Sequence, residues 1–270
     1  MGNVAQSTNR ANITVRCPDG FGNQLRLALA GSFLVMKGFI KSYTQDWVIN
    51  NHNNVNFLDY FLPLPQITFG PIPSNTPDND IISTTTFEMM IRTFSNNQWQ
   101  WKEAFDFIKQ YLIPKENIWN EAISFIEKNN IRESTGLHVR RTCKTSFLNQ
   151  PDVPERRRQH ILTNEQVLEL CKADKKIYLA TDNKETQDWF KTRLGNKCIT
   201  YGDIETGHQL EMQPYDRAQV ERHTTPLHCI MDFLIVQQCR KFIGSCESSF
   251  SNLIKNIRNN KKDLVLTGKV

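Results

Sequence analysis

The chain has 270 residues, 39% of them hydrophobic and 23% charged, and 33 basic against 28 acidic residues give a net charge of +5. Enough apolar residues are present to build a core, which excludes a disordered or collagen-like chain, and the length allows one large domain or two small ones. No apolar run is long enough for a membrane span: the longest, around Leu25–Met36, is broken by Arg26, Gly31 and Ser32. Met1–Asn12 is polar and lacks the apolar stretch of a secretory signal, and the serine after Met1-Gly2 falls at Ser7, one place late for myristoylation. Seven cysteines without a CxxC pair argue against a disulfide framework or a zinc ribbon and for a reducing compartment. The expectation is a soluble, cytoplasmic protein, in which the sequon Asn12-Ile13-Thr14 has no use.

Short apolar strands alternate with helices along the chain. Ile13–Cys17 reads as a strand and Asn23–Lys37 as a helix apolar around most of its circumference, hence buried between layers. A second strand is expected at Asp46–Asn50, then a helical turn at Phe57–Phe61 closed by the proline-rich Leu62–Pro73. Ser74–Asp80 reads as a surface loop, and helices are expected at Trp99–Leu112 and Lys115–Lys128. Strands follow at Leu137–Arg141, Lys176–Thr181, Cys198–Tyr201, Phe242–Ser245 and Leu264–Leu266. Between them come helices at Asn164–Cys171, after Thr181 through Phe190, at His228–Cys239 and at Ser249–Ile257. Such alternation predicts an α/β protein with parallel sheets covered on both faces. The unpatterned Asn129–Thr135 divides it into residues 1–134 and 135–270, two doubly wound domains with a ligand cleft between them.

Four segments carry chemistry-bearing residues. Pro18-Asp19-Gly20-Phe21-Gly22-Asn23 is a glycine-bearing loop from strand to helix, where backbone N–H groups approach an anion, or else a tight turn with a helix cap. Leu25 stands where a dinucleotide fingerprint needs its third glycine. His138-Val139-Arg140-Arg141-Thr142-Cys143-Lys144 closes a strand with cations that can stabilise a departing diphosphate, or it is a core histidine with surface arginines. Thr181-Asp182-Asn183 leads from strand to helix, where such residues commonly cap. Ser245 to Ser251 brings hydroxyl groups to a helix start, suited to phosphate. Asp232, near the start of the preceding helix, is either an exposed acid or an acceptor for the paired N–H donors of guanine.

Taken in order, Gly20-Phe21-Gly22-Asn23-Gln24-Leu25, His138-Val139-Arg140-Arg141-Thr142, Leu179-Ala180-Thr181-Asp182 and Ser248-Ser249 resemble the fucosyltransferase superfamily. That superfamily holds the α1,6-fucosyltransferases, their nodulation relatives and the protein O-fucosyltransferases. The resemblance runs from about Ile13 to Ile257. It implies a GT-B-type glycosyltransferase: two Rossmann-like domains facing across a cleft, the N-terminal one on the acceptor side and the C-terminal one binding a GDP-sugar. GDP-fucose is the implied donor substrate, with inversion at the sugar carbon, no metal and no cofactor, and a glycan or glycoprotein hydroxyl as acceptor. By the same resemblance Arg140 is the essential arginine on the diphosphate, Arg141 its neighbour, and His138 lies by the nucleoside. Asp232 reads guanine, Ser248 and Ser249 hold phosphate, and Gly22 and Asn23 approach the donor. Asp19 is the candidate general base. One departure is Cys143, where the α1,6 group carries an aspartate.

Competing readings are a transferase using another GDP-sugar, a non-catalytic GDP-sugar or carbohydrate-binding protein, and a metal-dependent transferase through Asp78-Asn79-Asp80. That triplet reads as part of a solvated loop. The basic clusters Arg156-Arg157-Arg158 and Lys255–Lys262 lack interleaved aromatics for nucleic acid and read as solvated surface.

Overall fold

A computed structural model describes residues 11–16, 21–46, 57–70, 72, 76, 81–83, 110–141, 161–205, 224–246, 248–259 and 262–265. The chain divides into two compact units, one of residues 1–19, 23–50 and 54–113, the other of residues 20–22, 51–53 and 114–270. None of the described helices is long and apolar enough to cross a membrane.

The first unit is built on four parallel strands: β1 (Asn12–Arg16), β2 (Ser42–Asp46), β3 (Ile67–Phe69) and β4 (Ile81–Ser83), in the order β3-β2-β1-β4. Helix α1 (Phe21–Met36) is apolar on nearly every side, as expected of a helix buried between layers. Its Leu27, Ala30 and Leu34 pack with Ile13 and Val15 of β1 and Tyr43 of β2. A Cβ on Gly31 would sit 2.4–2.5 Å from the Tyr43 ring, so only glycine lets that ring lie flat on the helix. Strand β2 comes earlier than the expected Asp46–Asn50. Its inward residues include the polar Gln45 and Asp46, so apolar counting passes over it. Gln45 is tolerated inside because its amide donates to the Gln24 carbonyl at 2.9 Å and its oxygen accepts from Tyr43 at 3.0 Å. Strand β3, inside the proline-rich segment, and β4 are not foreseen from the sequence. The expected helix Trp99–Leu112 and loop Ser74–Asp80 lie almost wholly outside the described residues.

The second unit carries five parallel strands, β5 (Thr135–Val139), β6 (Ile177–Thr181), β7 (Cys198–Ile199), β8 (Lys241–Gly244) and β9 (Leu264–Val265). Their order is β7-β6-β5-β8-β9, the doubly wound arrangement in which strand order reverses between β5 and β8. Side chains alternate across this sheet. Leu137, Val139, Leu179 and Ile243 face α3 (Asn164–Cys171) and α4 (Lys184–Leu194) in one core cluster. The other set includes Gly136, His138, Tyr178 and Gly244, and meets α5 (Pro226–Val236) and α6 (Ser249–Arg258). Helix starts follow local rules: Thr163 and Gln166 form a capping box, Asn183 caps α4, Thr225 caps α5 ahead of Pro226, and Ser248 caps α6.

Helix α2 (Glu116–Lys128), assigned by the sequence division at 134/135 to the N-terminal half, packs with the second unit. Its buried stripe, Ile118, Ala122 and Ile126, lies among these elements, and Phe125 meets Tyr178 of β6 edge-on at 6.1 Å. The basic run Lys255–Lys262 also differs from a solvated patch at one position. The Arg258 guanidinium is buried, pairs with Asp263 at 2.6 and 3.0 Å, and donates to the carbonyls of Val236, Gln237 and Cys239. It satisfies acceptors at the end of α5, while Asp263 also accepts the Phe242 N–H at 2.9 Å.

Candidate active site

Where β5 and β8 part, Ser245 joins them. Its hydroxyl donates to the His138 carbonyl at 3.0 Å and accepts the Arg140 N–H at 2.9 Å. Arg140 therefore leaves the sheet from a fixed point, at the carboxyl ends of the strands where doubly wound sheets bind ligands. An open pocket of about 490 Å³, counting the solvent at its mouth, lies there within the second unit. His138, Arg140, Asp182, Asp232, Gly22 and Phe250 are in its wall.

His138 is buried, and its Nδ1 lies 2.6 Å from the Ser251 hydroxyl while its ring rests on Phe250, centroids 4.6 Å apart. Burial pushes the imidazole down to about 3, with Asp182 opposing that shift and Arg140 reinforcing it. The ring is neutral at physiological pH. The Arg140 guanidinium stands 3.8 Å from Asp182 through Nε, with about a fifth of each side chain exposed. A cation in a half-open pocket wall can stabilise charge that develops on a ligand. Asp182 accepts the Arg141 N–H at 2.8 Å, and Thr181 donates to the Val139 carbonyl at 2.7 Å. Neither caps the following helix, a role Asn183 fills.

Asp232 is not an exposed acid near a helix start. It lies in the second half of α5, buried, and the Tyr178 hydroxyl donates to its Oδ1 at 2.5 Å. Burial raises the carboxyl to about 8, a shift that the Tyr178 hydrogen bond partly offsets. Gly22 presses on the start of α6. A Cβ there would lie 2.7 Å from the Phe250 nitrogen and 2.9 Å from its Cα, contacts with backbone that cannot swing away.

Of the residues singled out from the sequence, Gly22, His138, Arg140, Thr181, Asp182 and Asp232 come together in this wall. Asn23, half-buried, is outside it, as is Arg141, whose guanidinium turns to Asn164 Oδ1 at 2.7 and 3.1 Å. Burial lowers the Arg141 guanidinium from its usual value, against the charges of Asp182 and Glu165. Ser248 accepts the Ser251 N–H at 3.4 Å as the cap of α6, and Ser249 opens that helix against Gly22. Asp19, Cys143 and Asp78–Asp80 lie outside the described residues. Sequence reasoning missed Phe21 and Phe250, rings 6.3 Å apart in the pocket wall, although Phe21 stands between the two glycines it weighed. Thr224 and Cys229 complete the wall without any signal in the sequence. Among the described residues no group of three or more His, Cys, Asp and Glu side chains could hold a metal ion.

Residues 72–261, more than half of the chain, match the family described as GDP-fucose protein O-fucosyltransferase. The chain belongs to that family. By class it is a glycosyltransferase, a GDP-fucose-dependent fucosyltransferase. Solved structures are similar in fold. The fucosyltransferase NodZ from Bradyrhizobium aligns with a TM-score of 0.55 at 16% identity, covering 91% of this chain and 93% of that one. NodZ α-1,6-fucosyltransferase soaked with GDP-fucose gives 0.55 at 13% identity over 92% and 93%. POFUT1 in complex with GDP-fucose gives 0.52 at 13% identity over 97% and 99%. No curated protein sequence matches the chain.

Proposed function

We propose that the second unit binds GDP-fucose in the pocket at the β5–β8 switch and that the chain transfers fucose to a hydroxyl of a glycan or protein. The observation that carries this reading is Arg140, fixed at the end of β5 in one pocket wall with Gly22, His138 and Asp232, in a chain of this family. Its guanidinium meets the diphosphate, whose charge grows as the bond to fucose breaks. Asp232 accepts from guanine, and the neutral His138 lies beside the nucleoside. Gly22 and the start of α6, with Ser248 and Ser249, approach the phosphates, and Arg141 supports the strand exit through Asn164.

In the proposed step the acceptor oxygen forms a bond to C1 of fucose as the bond from C1 to the β-phosphate oxygen breaks. The electron pair leaves with GDP, the configuration at C1 inverts, and the hydroxyl proton passes to Asp19 as base. Arg140 supplies the positive charge that a metal gives elsewhere, so no metal is required. The two units act as Rossmann-like domains of a GT-B-type enzyme, the first on the acceptor side and the second holding the donor. Incubation with GDP-fucose and pooled glycan or glycoprotein acceptors, following GDP release and anomeric configuration, tests this. Transfer with inversion, abolished in Arg140→Ala, is expected. Arg140→Ala turnover equal to the unsubstituted protein would refute it.

A further inference from the structure

Asp232 is a buried pocket carboxylate whose one described hydrogen-bond partner, Tyr178, comes from a different element. Tyr178 is itself buried on β6, its ring fixed edge-on by Phe125 of α2, and its hydroxyl spends its proton on Asp232 Oδ1. We infer that Tyr178 is a positioning residue for base recognition, its phenol orienting the Asp232 carboxylate toward the paired N–H donors of guanine; this rests on the GDP-fucose reading above.

A carboxylate without a partner turns about its side-chain bonds, and a donor at 2.5 Å on one oxygen fixes that rotation and leaves the remaining lone pairs to the pocket. The phenol also donates to the ionised form, opposing the burial that raises the carboxyl to about 8. Guanine offers two adjacent N–H donors to a carboxylate, hypoxanthine offers one, and adenine places an acceptor there. Tyr178 would therefore contribute to affinity for the first over the others without touching the base. The groups facing Asp232 among the described residues are Tyr178 on β6, Tyr201 beyond β7, Cys229 on α5 itself, and His138, Arg140 and Asp182 across the pocket. His138 sits at about 3 and both phenols are raised, so none of these three titrates between about pH 6 and 9.

Calorimetric titration of GDP and IDP over that pH range, on the unsubstituted chain, Tyr178→Phe, Asp232→Asn and the double variant, tests this. In the unsubstituted chain, GDP affinity should be full above about pH 8 and fall as the pH drops and Asp232 protonates. Tyr178→Phe should weaken GDP about tenfold or more, narrow the GDP-to-IDP ratio, and move the fall in affinity to higher pH. In the Asp232→Asn background the same change should add no further loss. The double variant buries no charge, so that comparison survives should the single variant unfold. Unchanged affinity, base ratio and pH profile in Tyr178→Phe, or an equal loss in the Asn background, would overturn the inference. An unsubstituted chain preferring IDP to GDP would instead overturn the donor reading itself, before any variant is consulted.

Discussion

Replacing Asp232 with asparagine should stabilise the empty protein while removing its preference for a guanine nucleotide. The carboxyl sits at about 8 in the fold against an ordinary 3.8, because burial disfavours its charge. Folding therefore takes up a proton wherever the unfolded chain is ionised, and stability falls as pH rises from about 4 through about 8. A separation of roughly four pH units sets a ceiling of about 6 kcal/mol, and water admitted by the open pocket brings the expected cost to about 1–3 kcal/mol near pH 8. Asparagine has no proton to lose, and its oxygen can still accept from Tyr178. Urea denaturation of both proteins at about pH 5 and about pH 8 measures this. The variant should gain on the parent between the two, by several degrees if followed thermally. Parallel pH dependences, or a variant less stable at both, would refute the argument that this carboxylate is held against its own solvation.

Arg140→Ala should lower turnover about 100-fold or more with little loss of stability, and Arg140→Lys should not restore it, because lysine lacks a two-pronged contact; steady-state kinetics with a denaturation curve on each variant decide. Gly22→Ala should cost about 1–3 kcal/mol and weaken GDP binding, since its Cβ would strike the Phe250 and Ser249 backbone; an alanine variant of unchanged stability would contradict that packing. Asp19→Asn should cut transfer about 100- to 10,000-fold while leaving GDP affinity within a few fold; full transfer would remove Asp19 from the mechanism.

The second sheet was legible because its strands are apolar runs bounded by capped helices, as at Thr163-Asn164 and Ser248-Ser249. Its reversal between β5 and β8 was not, since strand order is settled by which helix covers which face. The first sheet read poorly for a different reason. Gln45 and Asp46 are polar yet buried, and the Gln24 carbonyl that Gln45 donates to lies on a separate element, 21 positions away. At the site, the motif order pointed to Gly22, His138, Arg140 and Asp232. The motif could not show that Arg141 turns to Asn164, that Ser245 joins the strands, or that Tyr178 holds Asp232. Each of these depends on a contact between residues 23 to 107 positions apart, which no local pattern encodes.

A thermal-shift comparison of GDP, GDP-fucose, GDP-mannose, UDP-sugars and NAD, with and without chelator, bears most directly on the central claim. Binding to the folded chain alone raises the midpoint by an amount that grows with affinity and concentration. GDP and GDP-fucose should raise it equally well in chelator, through Arg140 and Asp232, while UDP-sugars and NAD leave it unmoved. A shift by UDP-sugars to match GDP, or a GDP shift that vanishes in chelator, would contradict a metal-free GDP-fucose site at the β5–β8 switch.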